Sequence, residues 1–459
     1  MSESSLSKKA LIPKVAVLPL ARSTFDVEYA QTILNDAWEL LSSLNIELIA
    51  PLSSDGKPEL QFDADSANAV LPNLLAANPD VLLLLQVTFT DASMTVEIAN
   101  KIKMPLALWS FPEPRTGGRL RLNSFCGVNL AKHALSRQTL EAQTLHGLPC
   151  DVKAELEQLL QACAIANRLK STKIGVVGDH PDGFDACNYN EQQLKDHFGI
   201  SIEKTDVTSF INQVKAMPDS AADAPYARRA RDFSNLAEMD QVATRKTCKV
   251  YSGLSENAQK SNFQGIAVRC WPDFFVEYGC AACGAISMLN EDGIPGGCEA
   301  DVFGVISSLI LQWSANQAAF NTDLVDIDPQ DDSVVFWHCG QAPIEMADRT
   351  GPVRATIHSN RKLPLLSEFA LKPGRFTLCR ISQGQGKLRM ILGAGEMLQR
   401  PLAFSGTAGV ARMDIKADAF MARLLDQGLE HHSALVYGEH RPLLRTLARI
   451  LKLEIVELT

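Results

Sequence analysis

Residues 81–87 read Val-Leu-Leu-Leu-Leu-Gln-Val, with Asn-Pro-Asp just before them. Seven residues cannot cross a bilayer, which takes about 20 in a helix. A run without polar alternation also leaves no face for water. This is the pattern of a strand buried on both sides, and such strands sit in parallel sheets covered by helices. The surrounding chain agrees. Apolar stretches at 15–20, 46–50 and 106–109 alternate with helix-period stretches at 27–41, 67–77 and 92–101. Strand and helix alternating at this spacing predict βαβ units on a parallel sheet.

After a connecting helix at 152–169, a second α/β segment follows. Strands are expected at 173–177, 202–206, 265–269 and 334–337, and helices at 240–251, 280–290 and 301–314. The basic, alanine-rich stretch 221–231 reads as a surface excursion. From Gly351 the pattern changes to short alternating strands at 353–358, 375–381 and 387–392, punctuated by Gly and Pro. That predicts an antiparallel sheet or small barrel. A helix at 418–425, a strand at 434–437, a helix at 441–451 and a strand at 453–458 complete the chain. The predicted fold class is α/β, with two doubly wound parallel-sheet domains at 1–170 and 171–350. A C-terminal antiparallel β-barrel-like domain follows at 351–459. Three domains suit a chain of 459 residues.

A net charge of −9 argues against nucleic acid or an anionic membrane as partner. No hydrophobic core follows the polar residues 1–7, so a cytoplasmic protein is expected. Its eleven cysteines then read as thiols rather than a disulfide framework. Cys280-Ala281-Ala282-Cys283 has the spacing of a metal or redox half-site, but no second such pair exists. Both are expected to be buried structural thiols.

Side chains able to do chemistry concentrate at 269–343. They fall in Arg269-Cys270-Trp271-Pro272, Gly297-Cys298-Glu299-Ala300-Asp301, Asp323-Leu324-Val325-Asp326 and Phe336-Trp337-His338-Cys339-Gly340. Residues 320–328 and 333–340 read as two strands of a hairpin. If it is centred between Gln330 and Asp331, Asp323 faces His338 with Cβ atoms about 5 Å apart. A helix from Asp301 to Ser314 spans about 21 Å. Residues 315–323, extended, cover roughly 27 to 30 Å. Asp323 therefore returns beside Glu299 only if the helix stops near Ser314 or Ala315. A further candidate, Glu430-His431-His432-Ser433, sits in a helix-to-strand loop, a common home for ligands. Carboxylate and imidazole donors suit Mn²⁺, Fe²⁺, Co²⁺ or Zn²⁺. Each residue has a plainer reading too. Glu299 and Asp301 complement a helix dipole, the aspartates edge a solvated hairpin, His338 fills a core, and His431-His432 lie on a surface loop.

These residues resemble the L-fucose isomerase / L-arabinose isomerase superfamily. The resemblance rests on Cys298-Glu299-Ala300-Asp301 before a long apolar helix, Asp323 after it, and Trp337-His338-Cys339-Gly340. It continues through Glu430-His431-His432-Ser433 to Ile455-Val456-Glu457. It spans about 265–459; the N-terminal third shares only βαβ character, as in a compact, divergent member. The resemblance implies an intramolecular oxidoreductase that interconverts an aldose and a ketose through a cis-enediol. It implies a divalent metal, usually Mn²⁺, held by Glu299, Asp323 and His432. His431 is the alternative to His432, and His338 is a further ligand in the arabinose type. Glu299 and Asp323 would shuttle the proton while the metal polarises O1 and O2. Trp109, Arg22, Arg269, Trp271, Trp337 and Gln341 are candidates for contact with the sugar. A homo-oligomer, trimer or hexamer, is implied, in which a neighbouring subunit's N-terminal domain brings residues such as Trp109 and Arg22 to the site. Cys270, Cys298 and Cys339 read as small buried fillers behind the metal ligands. Two other readings compete: a metal-dependent hydrolase or lyase acting on a sugar acid, and a non-catalytic sugar-binding protein. L-Fucose, D-arabinose, L-arabinose and modified hexoses, such as sulfonated or deoxy sugars, are all open as substrates.

Overall fold

The computed structural model describes residues 11–54 and 56–459. The chain divides into two compact units. One is Leu11–Leu169 with Arg449–Lys452, and the other is Lys170–Ala448 with Leu453–Thr459.

The first unit is built on a five-stranded sheet. Its spatial order is Glu47–Ile49, Lys14–Leu20, Val81–Gln86, Leu106–Ser110 and Gln143–His146, and every pairing is parallel. Val81–Gln86 is the central strand and all six of its residues are buried. Its alternate residues feed two different cores. Leu83 and Leu85 pack with Ile33, Leu34, Leu156 and Leu159. Leu82 and Leu84 pack with Leu71, Met94, Ile98 and Val128 on the other face. Consecutive apolar residues, here Val81 to Leu85, are what two helix-covered faces require.

The second unit holds a smaller parallel sheet, ordered Ser201–Thr205, Lys173–Val177, Gly265–Val268 and Gly296–Gly297. It also holds a closed barrel. In ring order the barrel strands are Thr407–Met413, Ser333–His338, Phe320–Asp328, His432–Tyr437, Gly374–Ser382 and Arg389–Met397. The last pairs back onto the first, and each neighbouring pair is antiparallel. Closure removes exposed sheet edges within the ring. The α/β class with a barrel-like C-terminal region is as expected. The barrel takes its first two strands from upstream of Gly351, beginning at Phe320.

The helix Val302–Ala315 packs against both the parallel sheet and the barrel. Its first ten residues, Val302 to Leu311, are all buried, which is why it is apolar on every side. It stops at Ala315, with Asn316 left-handed behind it, so the return leg to Asp323 is free to form. The surface excursion expected at 221–231 is instead a helix, Asp223–Asp232, whose Arg229 side chain is 1% exposed. Arg229 pairs with Glu291 at 2.7 Å and Asp232 at 3.0 Å, and Arg228 pairs with Glu291 and Asp292. A buried cation needs such partners, and the main one, Glu291, lies 62 residues away, out of reach of local composition. Among the described residues no helix is long and apolar enough to cross a membrane.

Gly340 closes the strand Ser333–His338 with φ +104°. A Cβ there would sit 2.8 Å from both the backbone N and the backbone O of Ser367. Gly340→Ala is expected to cost about 1–3 kcal/mol by overpacking and backbone strain. The check is a lowered urea midpoint at unchanged m-value.

Candidate active site

Two layers of the second unit supply the site. The parallel strands Gly265–Val268 and Gly296–Gly297 run into the segments that carry Trp271 and Glu299. The carboxyl ends of parallel strands are where open α/β sheets expose functional groups. Glu299 has φ 57° and ψ 25°, and Ala300 has φ 56°. Each left-handed non-glycine residue costs roughly 1–2 kcal/mol. Together they turn the chain so that Asp301 caps the helix Val302–Ala315.

The barrel supplies Asp323 and His432, direct partners across an antiparallel ladder. Such partners share a face. The expected pairing of Asp323 with His338 is corrected here. Near the turn, Asp328, Ile327 and Asp326 do face Ser333, Val334 and Val335. A β-bulge between Leu324 and Asp326 then shifts the register by one, so Asp323 faces Trp337. An extra residue on one strand does this, and nothing in a two-residue alternation signals where it falls.

His432 is 1% exposed. Its Nδ1 lies 2.9 Å from Asp301 Oδ2. Arg380 donates to both oxygens of Asp301, at 2.6 and 3.1 Å. An ionised carboxylate only accepts, so the His432 ring donates from Nδ1 and, when neutral, keeps a lone pair on Nε2. That lone pair faces Asp323 Oδ1 at 3.3 Å and Glu299 Oε2 at 3.9 Å. Asp323 Oδ1 is buried and, among the described residues, takes part in no hydrogen bond. These are donor types that could hold a cation, with Glu299 and Asp323 falling in separate sets that share His432. Two carboxylate oxygens and one imidazole nitrogen suit Mn²⁺, Fe²⁺, Co²⁺ or Zn²⁺. A carboxylate behind the imidazole is also what orients a ligating histidine. Two donor groups lie within 4.8 Å: Asp323, His338 and His432, and Cys187, Glu299 and His432.

Charges around the site are tuned by contact. Burial opposes the charge of Asp301, but Arg380 and the His432 hydrogen bond outweigh it and hold the carboxyl well below the usual carboxylate range. Burial likewise opposes Glu299. His431, 3.1 Å from its Oε2, then His432 and the Trp271 N–H at 3.0 Å lower it below its ordinary value. Burial opposes protonation of His431, yet Glu299 and Asp323 raise its pKa. His338 Nδ1 accepts the Cys339 backbone N–H at 2.8 Å, so in the neutral ring the proton is on Nε2.

A cavity of about 320 Å³ opens over these groups, and Trp271 and Trp337 are among its walls. Gln341 is buried, with its Nε2 3.3 Å from the His338 ring nitrogens. Arg269 is engaged elsewhere, with Asp273 at 2.7 Å and the His180 carbonyl at 3.1 Å. Arg22 and Trp109 belong to the first unit. There Arg22 pairs with Asp91, and Trp109 is fully buried with its indole N–H donated to the Gly147 carbonyl. Cys270, Cys298 and Cys339 are buried beside the ligand set, and Cys283 joins them. Cys270 Sγ lies 2.8 Å from Cys298 Sγ, and Cys339 Sγ lies 3.2 Å from Cys283 Sγ. All four border the cavity. A larger cavity of about 500 Å³, near Asp348, Arg354 and Glu368, has no imidazole or thiol in its walls among the described residues.

Sequence reasoning missed Cys187 and Arg380 and saw Asp301 only as a helix cap. Arg380 carried a signal: it interrupts Phe376-Thr377-Leu378-Cys379-Arg380-Ile381, a strand otherwise fit for burial. A charge at such a position must have a partner. Arg380→Met strands the Asp301 carboxylate and is expected to cost about 3–5 kcal/mol. Since the folded carboxyl is held below its ordinary 3.8, its stabilisation is complete above that pH and lost as pH falls below it. The urea-measured deficit of R380M is therefore expected to stay constant from about pH 5 to about pH 8.

Comparison with known proteins covers both ends of the chain. Residues 16–170 match the family described as "Fucose/sulfoquinovose isomerase, N-terminal domain". Residues 367–459 match "L-fucose isomerase, C-terminal domain". The likeness thus reaches the N-terminal third, where the residues alone offered only βαβ character. The chain is 33% identical to a sulfoquinovose isomerase of Priestia aryabhattai over 444 residues, 96% of this chain and 98% of that protein. It is 31% identical to one of Alkalicoccus urumqiensis over 447 residues, 97% and 99% of the two chains. With one of Clostridium sp. (strain MSTE9) it shares 27% over 449 residues, 96% and 98%.

Proposed function

The chain belongs to the fucose/sulfoquinovose isomerase family and is an aldose–ketose isomerase, and from that premise we propose that it isomerises sulfoquinovose through a cis-enediol with a divalent metal. Sulfoquinovose is glucose with a sulfonate in place of the 6-hydroxyl, and its ketose partner is the 6-sulfo analogue of fructose. The substrate class rests on likeness to sulfoquinovose isomerases over nearly the whole of both chains. The hydrolase, lyase and non-catalytic readings give way to the family.

One observation carries the metal. The Nε2 lone pair of His432 and the carboxylates of Glu299 and Asp323 converge, while the ring proton is committed to Asp301. Those three residues would hold the ion, Mn²⁺ first among the candidates. A divalent ion held there would supply Lewis-acid polarisation of the sugar oxygens and so lower the cost of the negative charge that builds on them. The side chains move the protons. Glu299, kept ionised by His431 and Trp271, takes the proton from C2 and returns it to C1 on the same face. Asp323 carries the hydroxyl proton from O2 to O1. The sum is one C–H and one O–H lost at C2 and one of each gained at C1. His338 offers its Nε2–H to a sugar oxygen rather than acting as a fourth ligand, and Gln341 steadies its ring. Trp271 and Trp337 wall the sugar and keep water from the enediol. The enzyme acts in the cytoplasm as a homo-oligomer, a trimer or hexamer.

Glu299→Gln and Asp323→Asn are each expected to lower kcat by at least about 100-fold and to reduce bound metal. Turnover in D₂O should leave deuterium at C1 of the ketose, and EDTA dialysis should abolish activity until Mn²⁺ is restored. Near wild-type turnover and metal content in both variants would overturn the reading.

A further inference from the structure

Among the described residues, Arg361 is the one Lys or Arg side chain in the walls of the cavity that holds Glu299 and Asp323. Its loop, between Arg354–Thr356 and Leu366–Ala370, is braced by its own backbone. His358 N–H donates to the Leu363 carbonyl at 2.9 Å, and Lys362 N–H donates to the His358 carbonyl at 2.8 Å. At the loop's base, Ala281 N–H donates to the Pro364 carbonyl at 2.9 Å. The guanidinium carbon lies 4.5 Å from the Trp271 ring centroid and 5.3 Å from that of Phe275. Among the described residues no carboxylate pairs with it. It is thus a half-buried cation, fixed in place by aromatic faces, with its charge unanswered.

The neighbouring histidine sharpens the point. His358 Nδ1 accepts the backbone N–H groups of Asn360 and Arg361, each at 3.3 Å. The proton of the neutral ring is therefore on Nε2. That Nε2 lies 3.3 Å from Arg361 Nη1, and a guanidinium only donates. Two donors stand side by side with no acceptor between them. An anion in front of the pair satisfies both.

Trp271 ties this pair to the reacting end. Its indole N–H donates to Glu299 Oε1 at 3.0 Å, and its ring lies under Arg361. A sugar with its reacting carbons at Glu299 and its chain along the indole brings its far end to Arg361. In a hexose that far end is C6.

We propose that Arg361 and His358 form the subsite for the sulfonate at C6 and set the preference for sulfonated over neutral hexoses. This rests on the sulfoquinovose reading of the same site. A sulfonate is charged at every pH the protein meets and offers three equivalent acceptor oxygens. Two of them match the planar fork of a guanidinium, as a carboxylate or phosphate does. A neutral C6 leaves both donors without an acceptor, and a site built to hydrogen-bond a group discriminates strongly against the analogue lacking it.

The test compares kcat/KM for sulfoquinovose and for 6-deoxyglucose, which lacks only the sulfonate, in wild type and Arg361→Met. The preference ratio is expected to fall by about 100-fold or more in R361M. Arg361→Lys keeps the charge without the fork and should fall in between, and it also serves if R361M does not fold. Calorimetric binding of methyl α-sulfoquinovoside, which cannot ring-open, probes the subsite without turnover and should weaken in parallel. A wild type that converts neither sugar, yet binds the glycoside through Arg361, sinks the substrate reading and leaves the subsite standing. A ratio and a glycoside Kd that both stay within about three-fold of wild type in the folded variants overturn the subsite.

Discussion

The buried Asp301 carboxylate is the contact on which the rest of the site depends. It is wholly inaccessible to solvent and answers three partners at once. One oxygen accepts the Gly304 N–H and so caps the helix Val302–Ala315. Both oxygens take the Arg380 guanidinium from the barrel strand Gly374–Ser382. The Oδ2 oxygen also takes the Nδ1 proton of His432. A buried ion pair repays its desolvation only when its geometry is good and the remaining lone pairs are used; those of Asp301 are, while Arg380 Nε has Glu430 Oε2 only at 4.0 Å. A Cβ on Gly304 would sit 2.4 Å from Asp301 Oδ2, so glycine is what leaves this carboxylate its room. One residue thereby docks the parallel-sheet layer on the barrel and decides which nitrogen of His432 looks into the site.

From that anchor the remaining geometry follows. The left-handed pair Glu299-Ala300 sits directly before the cap. The strand Phe320–Asp328 brings Asp323 opposite His432. The bulge at 325 lets the hairpin keep one register at its turn and another at the site. Local strain and a broken ladder are concentrated at this one cluster, and the well-paired barrel around them bears the cost.

Much of this was legible in the residues. The uniform burial of Val81–Gln86 on both faces, the shift to a barrel, and the halt of the buried helix at Ala315 all follow from hydrophobic period and reach. Glu299, Asp323, His338 and His432 were legible as residue types whose chain order and spacing let them meet. Arg269, a candidate for contact with the sugar, also answers a neighbouring aspartate, Asp273 four residues on, and the residues alone do not show that pairing. Arg229 was misjudged because its main partner, Glu291, is remote.

The sequence by itself determined the fold class, the family and the carboxylate and imidazole groups of the site, because each is written in local period, composition or a short motif. Only the tertiary structure decided register, tautomer and partnership. A bulge slips a ladder without changing its pattern, and a ring nitrogen takes its role from whichever carboxylate or backbone N–H packs against it. Arg361 and His358 show the same division. On paper they are a polar loop between two strands, and their unanswered donors exist only where the fold lays that loop over Trp271.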